Sequence, residues 1–482
     1  MSTETMHNLN GYEFTGFTHE LEPMDSTHVH RIRRESNTTY RDEFAVAILK
    51  ELNPLLWEQT LEGYSRSYYS MEAHLSSILK YGSPNTPNTA LNCNVFEQAV
   101  NATRIGLCSL PLVRAINVLT ELDSVRYNQS SAAGFDYIGM KGPPGESNHK
   151  RAISRAKATL WSAIALDGEG LDHVIRTQVP DVGYTRTQLT LLKEKFKVRG
   201  VWGRAFHYIL MEGTSAQPLL DAFKRGQTFF HIGEDPTVSV PEILSFTAKH
   251  CGWLMSLDWS SFDATVSRFE INTAFDLIKD RITFPNFETE QAFEISRQLF
   301  IHKKIATPDG NIYWSHKGIP SGSYFTGIIG SIVNRLRVEY IWRLHKQRGP
   351  KIIFTQGDDS LIGDDDYTDP TMLAKLAKPL GWILNPDKTE TSRMPEYVTF
   401  LGRTTYGGLN TRNLKKCIRL LAFPEFPVES GRISAFRAQS IAHDAGNTSQ
   451  LLNDTARRLR RNYGVPSLDE VPHYFKPYLN FV

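Results

Sequence analysis

The stretch FTQGDDSLIGDDD, Phe354 to Asp366, packs five aspartates into thirteen residues. Asp358 and Asp359 stand side by side directly after the β-formers of Lys351–Thr355. Like charges this close repel, and a strand end is a half-buried place. Adjacent carboxylates on a hairpin tip become favourable when divalent cations lie between them. Gly357, just before the pair, supplies the backbone angles that such a tip needs. One tip cannot hold two metals alone, so a further carboxylate should arrive from a neighbouring strand. Asp258 fits, at the end of the strand-like LMSL run, with Asp263 five residues on in DWSSFD. Two cations about 3.5–4 Å apart would clamp the attacking and leaving oxygens of a phosphoryl transfer. That chemistry needs mainly positioning and charge. An isolated Gly-Asp-Asp is equally a solvated turn, and the second cluster, Asp364–Asp366, is expected to be only that.

The elements that must carry these residues are legible in outline. CGWLMSLDW (251–259) reads as a strand, and KIIFT-QGDD-SLIG as strand, turn and strand. Residues 270–302 read as helical. GIPSGSYFT (318–326) is a Gly/Pro/Ser turn opening a long apolar helix, and free N–H groups at a helix start suit a phosphate or ribose. The alternative there is a plain helix cap by Ser321 or Ser323. A helix at Pro370–Lys378 and a strand pair around Tyr397–Gly408 follow, and the last 70 residues look mainly helical. Strands and helices mix without regular βαβ alternation, so an α+β core with helical flanks is expected rather than a doubly wound sheet.

A chain of 482 residues exceeds one simple core and suits several subdomains. Hydrophobic content of 40% excludes disorder over most of the length. The net charge of +2 does not announce a polyanion binder, but basic residues cluster at Arg31–Arg34, Lys193–Arg199 and Arg457–Arg461. Four cysteines without a C-x-x-C pair imply a reducing compartment and no structural zinc. The opening MSTETMHNLN fits neither a signal peptide nor myristoylation, and no apolar run reaches the length of a membrane span.

Taken in order, these blocks resemble a viral RNA-dependent RNA polymerase. KFKVRGVWGR (195–204) is similar to the basic motif F, DWSSFD (258–263) to motif A, and SGSYFTGIIGSIVN (321–334) to motif B. QGDDS (356–360) is similar to motif C, NPDKTE (385–390) to motif D and FLGR (400–403) to motif E. The details look most like the polymerases of partitiviruses, which are small double-stranded RNA viruses, with those of picobirnaviruses the nearest alternative. The sequence departs from the family pattern at one place. Many relatives carry Asn or Asp four residues after the motif B Thr, where this chain has Gly330.

The resemblance implies an α+β right-hand fold with a small antiparallel palm sheet backed by helices. It implies an N-terminal extension and fingers in 1–250, palm in 251–285, a fingers insertion in 286–317, palm again in 318–410 and a helical thumb in 411–482. Asp258, Asp358 and Asp359 would bind two Mg²⁺, or Mn²⁺, with Asp359 in a lesser part. Asp263 would accept a hydrogen bond from the ribose 2′-OH and so favour ribonucleotides. Ser321, Gly322, Thr326 and Asn334 would contact substrate. Lys197, Arg199 and Arg204 would neutralise the incoming triphosphate. Lys388 is the candidate general acid for the leaving pyrophosphate, or else a solvated turn lysine. Implied partners are template and product RNA, ribonucleoside triphosphates and a viral capsid protein, with no membrane, in a virion within the host cytoplasm. A reverse transcriptase of the same class and a non-catalytic, capsid-associated RNA-binding protein stay as alternatives. Asp263 and the intact carboxylate set weigh against them.

Overall fold

Leu361 and Ile362 follow each other in the strand after the aspartate pair, and Leu254 and Met255 do so in the strand before Asp258. All four are buried, because the sheet that holds them is covered on both faces. In the computed structural model, which describes residues 6–24, 38–165, 168–194 and 197–476, this sheet has four strands. Their order is Ile352–Gln356, Asp359–Asp364, Trp253–Ser256, Glu390–Ser392, antiparallel at each step. Successive side chains of a strand point to opposite faces. Leu254 and Leu361 therefore join Val240 and Leu244 of helix Pro236–His250 in one core. Met255 and Ile362 join Ile328, Ile332 and Leu336 of helix Thr326–Lys346 in another. Each such side chain contributes about 1.5–3 kcal/mol by leaving water. A one-residue slip would exchange the two cores, so the register is fixed.

Helix Thr326–Lys346 is buried on nearly every side. Its Arg337 is fully buried, paired with Glu270 at 2.6 Å, and its guanidinium lies 5.3, 4.9 and 4.9 Å from the rings of Trp259, Phe262 and Trp382. Two of those rings belong to the DWSSFD segment. The buried ion pair thus sets where that segment leaves its strand.

A second sheet has five strands in the order Leu21–Met24, Ile312–Ser315, Lys303–Ala306, Asp181–Arg186, Arg199–Gly203. Its one parallel step joins Asp181–Arg186 to Lys303–Ala306. The C-terminal helices Leu414–Ala422, Gly431–Asp444 and Gln450–Tyr463 form a separate core.

Three sequence expectations change. The 270–302 stretch is two helices, Arg268–Lys279 and Phe287–Ile301. Pro285 disfavours helix before it, and the Asn286 side chain accepts from Thr289 N–H to start a new one. The pair around 397–408 is a two-residue hairpin, Phe400 to Arg403, followed by a second hairpin, Thr404–Tyr406 with Leu409–Thr411. Gly407 and Gly408 hold φ of 56° and 82° in its turn, as that turn requires. Finally, helix Glu43–Leu52, placed by sequence with the N-terminal 1–250 unit, packs inside the C-terminal helical core. Buried Asp42 anchors it, accepting from Arg437 at 2.6 Å and from Ser434 at 2.8 Å.

Candidate active site

The hairpin Ile352–Gln356 to Asp359–Asp364 turns through Gly357 and Asp358 alone, since Gln356 pairs with Asp359. Gly357 has φ of 59°, a value that strains residues with a Cβ. The Ser360 hydroxyl accepts from Leu257 N–H at 3.3 Å. Continuing that register brings Asp258 level with Asp359 at the edge of the tip. The loop beyond Asp258 is tied to 385–389: Thr389 Oγ1 accepts from Asp258 N–H at 3.2 Å, and Asn385 N–H donates to the Asp258 carbonyl at 2.9 Å. Two strand ends and the NPDKTE turn are thus joined at one point.

The acids gathered there have no neutralising partner of their own. Among the described residues, no ion pair within 4 Å is made by Asp258, Asp263, Asp358 or Asp359. Solvent reaches Asp358 and Asp359, yet the surrounding walls displace much of the bulk water. That desolvation, then the charge of Asp358, pushes Asp359 up to about 6. Desolvation also raises Asp358, and the charge of Asp258 adds to it. Burial, followed by repulsion from Asp358, pushes Asp263 up to about 7, against the opposing pull of Arg199 and Lys303. Mutual repulsion places Asp258, Asp263, Asp358 and Asp359 in one field. No group of three or more His, Cys, Asp or Glu among the described residues is already drawn in to metal-ligand spacing. The donor set, all carboxylate oxygen and short of positive charge, fits a hard divalent cation such as Mg²⁺ or Mn²⁺.

Asp263 lies in the first turn of the short helix Phe262–Thr265, entered through Ser261 at φ 50°. Its carbonyl accepts from Ile319 N–H at 2.8 Å, which ties the DWSSFD segment to the 318–326 loop. In that loop Thr326 Oγ1 donates to the Pro320 carbonyl at 2.7 Å, and Ser321 Oγ donates to the Gly200 carbonyl at 3.2 Å. A Cβ on Gly322 would sit 1.9 Å from the Trp202 carbonyl oxygen, so only glycine permits this approach.

Two expected substrate contacts are corrected. Asn334 is fully buried, and its amide is used up inside the protein. Its oxygen accepts from Trp259 Nε1 at 3.0 Å, and its NH₂ donates to the carbonyls of Gly357 at 3.0 Å and Asp359 at 3.1 Å. It braces the two aspartate-bearing segments and does not face a ribose. Arg204 is also buried, held by Asp181 at 3.2 Å and Glu212 at 3.0 Å, so it is spent on internal carboxylates and not on a triphosphate. Gly330, the departure from the family pattern, faces the hairpin tip: a Cβ there would lie 3.5 Å from Gly357 Cα and 3.8 Å from Ile319 and Phe262. A longer polar side chain would run into them.

Arg199 remains exposed and acts on Asp263, Asp358 and Asp359 from the end of its strand. Lys197 and Lys388 are exposed; Lys388 adjoins Thr389, which holds Asp258. Of the basic clusters, Arg31–Arg34 lies outside the described residues. Arg458 pairs with Glu51, and Arg460 and Arg461 line a groove of about 470 Å³ with Gln439 and Ala442. Sequence reasoning missed Lys303, Glu212 and Lys416. Lys303 is buried, donating at 2.7 Å to the carbonyls of both Lys317 and Gly318. Lys416 approaches Asp359 from helix Leu414–Ala422. Their signal is tertiary, since each is an ordinary charged residue in its local sequence.

The chain is similar to known viral polymerases. Over 174 residues the chain is 35% identical to the RNA-directed RNA polymerase of Cryptosporidium parvum virus 1 (strain KSU-1), a match covering 31% of this chain and 32% of that protein. Over 176 residues it is 26% identical to the RNA-directed RNA polymerase of Atkinsonella hypoxylon virus (isolate 2H), covering 33% of this chain and 25% of that one. The chain thus spans about a quarter to a third of the length of these two curated relatives. The Sicinivirus 3Dpol RNA-dependent RNA polymerase superposes with a TM-score of 0.71 at 16% identity, covering 96% of this chain and 99% of that one. The fold is therefore the right-hand polymerase fold, with the four-stranded sheet as its palm. The family described as viral RNA-dependent RNA polymerase matches residues 40–460, and with its carboxylate hairpin seated in that palm the chain belongs to this family.

Proposed function

We propose that this chain is an RNA-directed RNA polymerase that replicates and transcribes the genome of a double-stranded RNA virus of partitivirus type. The observation that carries the reading is the set of unneutralised carboxylates, Asp258 on one palm strand end and Asp358–Asp359 on the next. In the reaction the 3′-hydroxyl of the growing strand gives its proton to solvent as its oxygen bonds to the α-phosphorus of a ribonucleoside triphosphate, and the bond to pyrophosphate breaks. Asp258 and Asp358, with support from Asp359, would hold two divalent cations, Mg²⁺ or Mn²⁺. Bound there, the cations supply charge neutralisation on the phosphates and lower the pKa of the attacking hydroxyl. Asp263 accepts from the ribose 2′-OH. Arg199, with Lys197, draws the triphosphate toward the acids. Gly322 and Ser321 shape the loop wall beside the sugar, and exposed Lys388 donates a proton to the leaving pyrophosphate.

In this reading residues 1–250 and 286–317 supply the fingers, 251–285 and 318–410 the palm, and 411–482 the thumb. Helix Glu43–Leu52 crosses over to the thumb core. The protein works on template RNA inside a capsid in the host cytoplasm and touches the capsid protein. No helix among the described residues is long and apolar enough to cross a membrane.

The test is primer extension with purified protein, a short RNA template, labelled UTP and a titration of Mg²⁺ and Mn²⁺. Templated product is expected with ribonucleotides, and Asp358→Ala should abolish it while RNA binding stays. Equal use of deoxyribonucleotides would favour a reverse transcriptase; synthesis retained by Asp358→Ala would refute the site.

A further inference from the structure

Helix Phe206–Arg225 carries one glutamate whose two oxygens serve two different parts of the substrate-binding wall. Glu212 is 1% exposed. Its Oε1 accepts from Arg204 Nε at 3.1 Å and Nη2 at 3.0 Å. Its Oε2 accepts from Ser323 Oγ at 2.9 Å and Tyr324 N–H at 2.8 Å. Arg204 follows directly on the strand Arg199–Gly203, whose far end presents Arg199 to the acids. Ser323 and Tyr324 follow directly on Ser321 and Gly322. Between these two ties, Gly322 rests on the Trp202 carbonyl and Ser321 donates to the Gly200 carbonyl. Strand and loop are thus laced together along their length, and Glu212 closes the lace at its buried end.

We infer that Glu212 is a positioning residue: it holds the 318–326 loop in register with the strand bearing Arg199, and so sets the affinity for the incoming ribonucleoside triphosphate. A core ion pair could be had without the loop, because Asp181 already pairs with Arg204 at 3.2 Å and the Leu299 carbonyl takes another of its N–H groups at 3.1 Å. What Asp181 does not reach is Ser323 and Tyr324. The second oxygen of Glu212 is given entirely to the loop, and among the described residues no other acceptor is offered to the Tyr324 N–H. The effect on substrate rests on the polymerase reading; the hold on the loop does not.

The informative variant is Glu212→Gln. Its amide keeps the shape and one acceptor oxygen, which the Arg204 charge draws to itself, leaving NH₂ toward Ser323 and the Tyr324 N–H. Hydrogen exchange in peptides covering 321–326 should speed up by about tenfold or more, while helix Phe206–Arg225 keeps its protection. In primer extension, KM for the ribonucleotide should rise by about tenfold with kcat and RNA affinity nearly unchanged. Ser323→Ala leaves the Arg204 pair intact and should move both readouts the same way by less. The double variant should be no worse than Glu212→Gln, because the two act through one tie. Exchange and KM at parent values would overturn the proposal. So would loosening of the whole molecule with kcat lost and KM kept, the mark of a merely structural carboxylate, or additive effects of the two changes. A parent protein that makes no RNA would overturn the polymerase reading instead, and the exchange of 321–326 would still decide whether Glu212 holds the loop.

Discussion

The strand Asp359–Asp364 has aspartate at both ends, and the two ends live in opposite electrostatic worlds. At its base Asp364 is 3% exposed and fully partnered. It accepts from Trp342 Nε1 at 2.9 Å, Lys346 at 3.0 Å and Arg348 at 2.7 Å. Burial alone would raise its carboxyl, but the hydrogen bonds from Arg348, Trp342 and Lys346 outweigh that and hold it below the usual range. Asp365 and Asp366 are surface groups paired with Lys351 and Arg348. At the tip, Asp358 and Asp359 face Asp258 and Asp263 with no cation within 4 Å of any of them among the described residues. One hairpin thus shows a charge neutralised by the protein and a charge the protein leaves without an ion-pair partner among the described residues. In the proposed polymerase, that difference would separate a structural acid from a functional one more sharply than residue type or spacing does.

Four measurements would break or sharpen that contrast. The largest effect is expected at the tip. Asp358→Asn should cut RNA synthesis by about 10³-fold or more and leave the melting temperature unchanged or raised, because it relieves repulsion. A large loss of stability there would erase the distinction between the ends. At the base, Asp364→Asn should cost about 3 kcal/mol in denaturant titration, since it removes the buried carboxylate that half-buried Lys346 and the more exposed Arg348 pair with, while RNA synthesis by the folded fraction persists. The third effect concerns discrimination. Asp263→Asn should reduce the preference for ribonucleotides over deoxyribonucleotides by about 10²-fold, read as a ratio of kcat/KM values.

The smallest effect is electrostatic. In the folded, metal-free protein the Asp263 carboxyl stands at about 7, above its unfolded value. Such a group adds stability below its unfolded pKa, and that contribution is lost as pH rises through 7. Parent protein should therefore lose about 1 kcal/mol relative to Asp263→Asn between pH 6 and 8, read from paired melts without metal. Adding Mg²⁺ at pH 8 should raise the parent's melting temperature. A parent and variant that melt in parallel across this range would place Asp263 with the neutralised acids.

Local signals in the chain determined a good deal. Gly357 dictated a two-residue turn, because φ of 59° excludes side chains from comfort there. Asn286 and Asp235 cap their helices as those residue types favour, although the reading of 270–302 as one helical stretch passed over Asn286. Paired apolar residues such as Leu254–Met255 demanded a sheet covered on both faces. The order of the blocks carried the family, and the candidate carboxylates were all visible as residues. These are short-range facts, fixed by backbone sterics and by side chains a few positions apart.

Only the tertiary structure decided which charges are spent and which are left over. Arg204 looked like a triphosphate ligand beside Arg199 until Asp181 and Glu212, on a neighbouring strand and helix, enclosed it. Asn334 looked like a ribose contact until Trp259, Gly357 and Asp359 took every hydrogen bond its amide can readily make there. Helix Glu43–Leu52 reads like any amphipathic helix, and its place in the C-terminal core follows from Asp42 meeting Arg437. Neutralisation of a buried charge depends on partners that folding brings from other elements, 23 residues away for Asp181 and Arg204 and 395 for Asp42 and Arg437, and an amino-acid string does not encode those meetings locally.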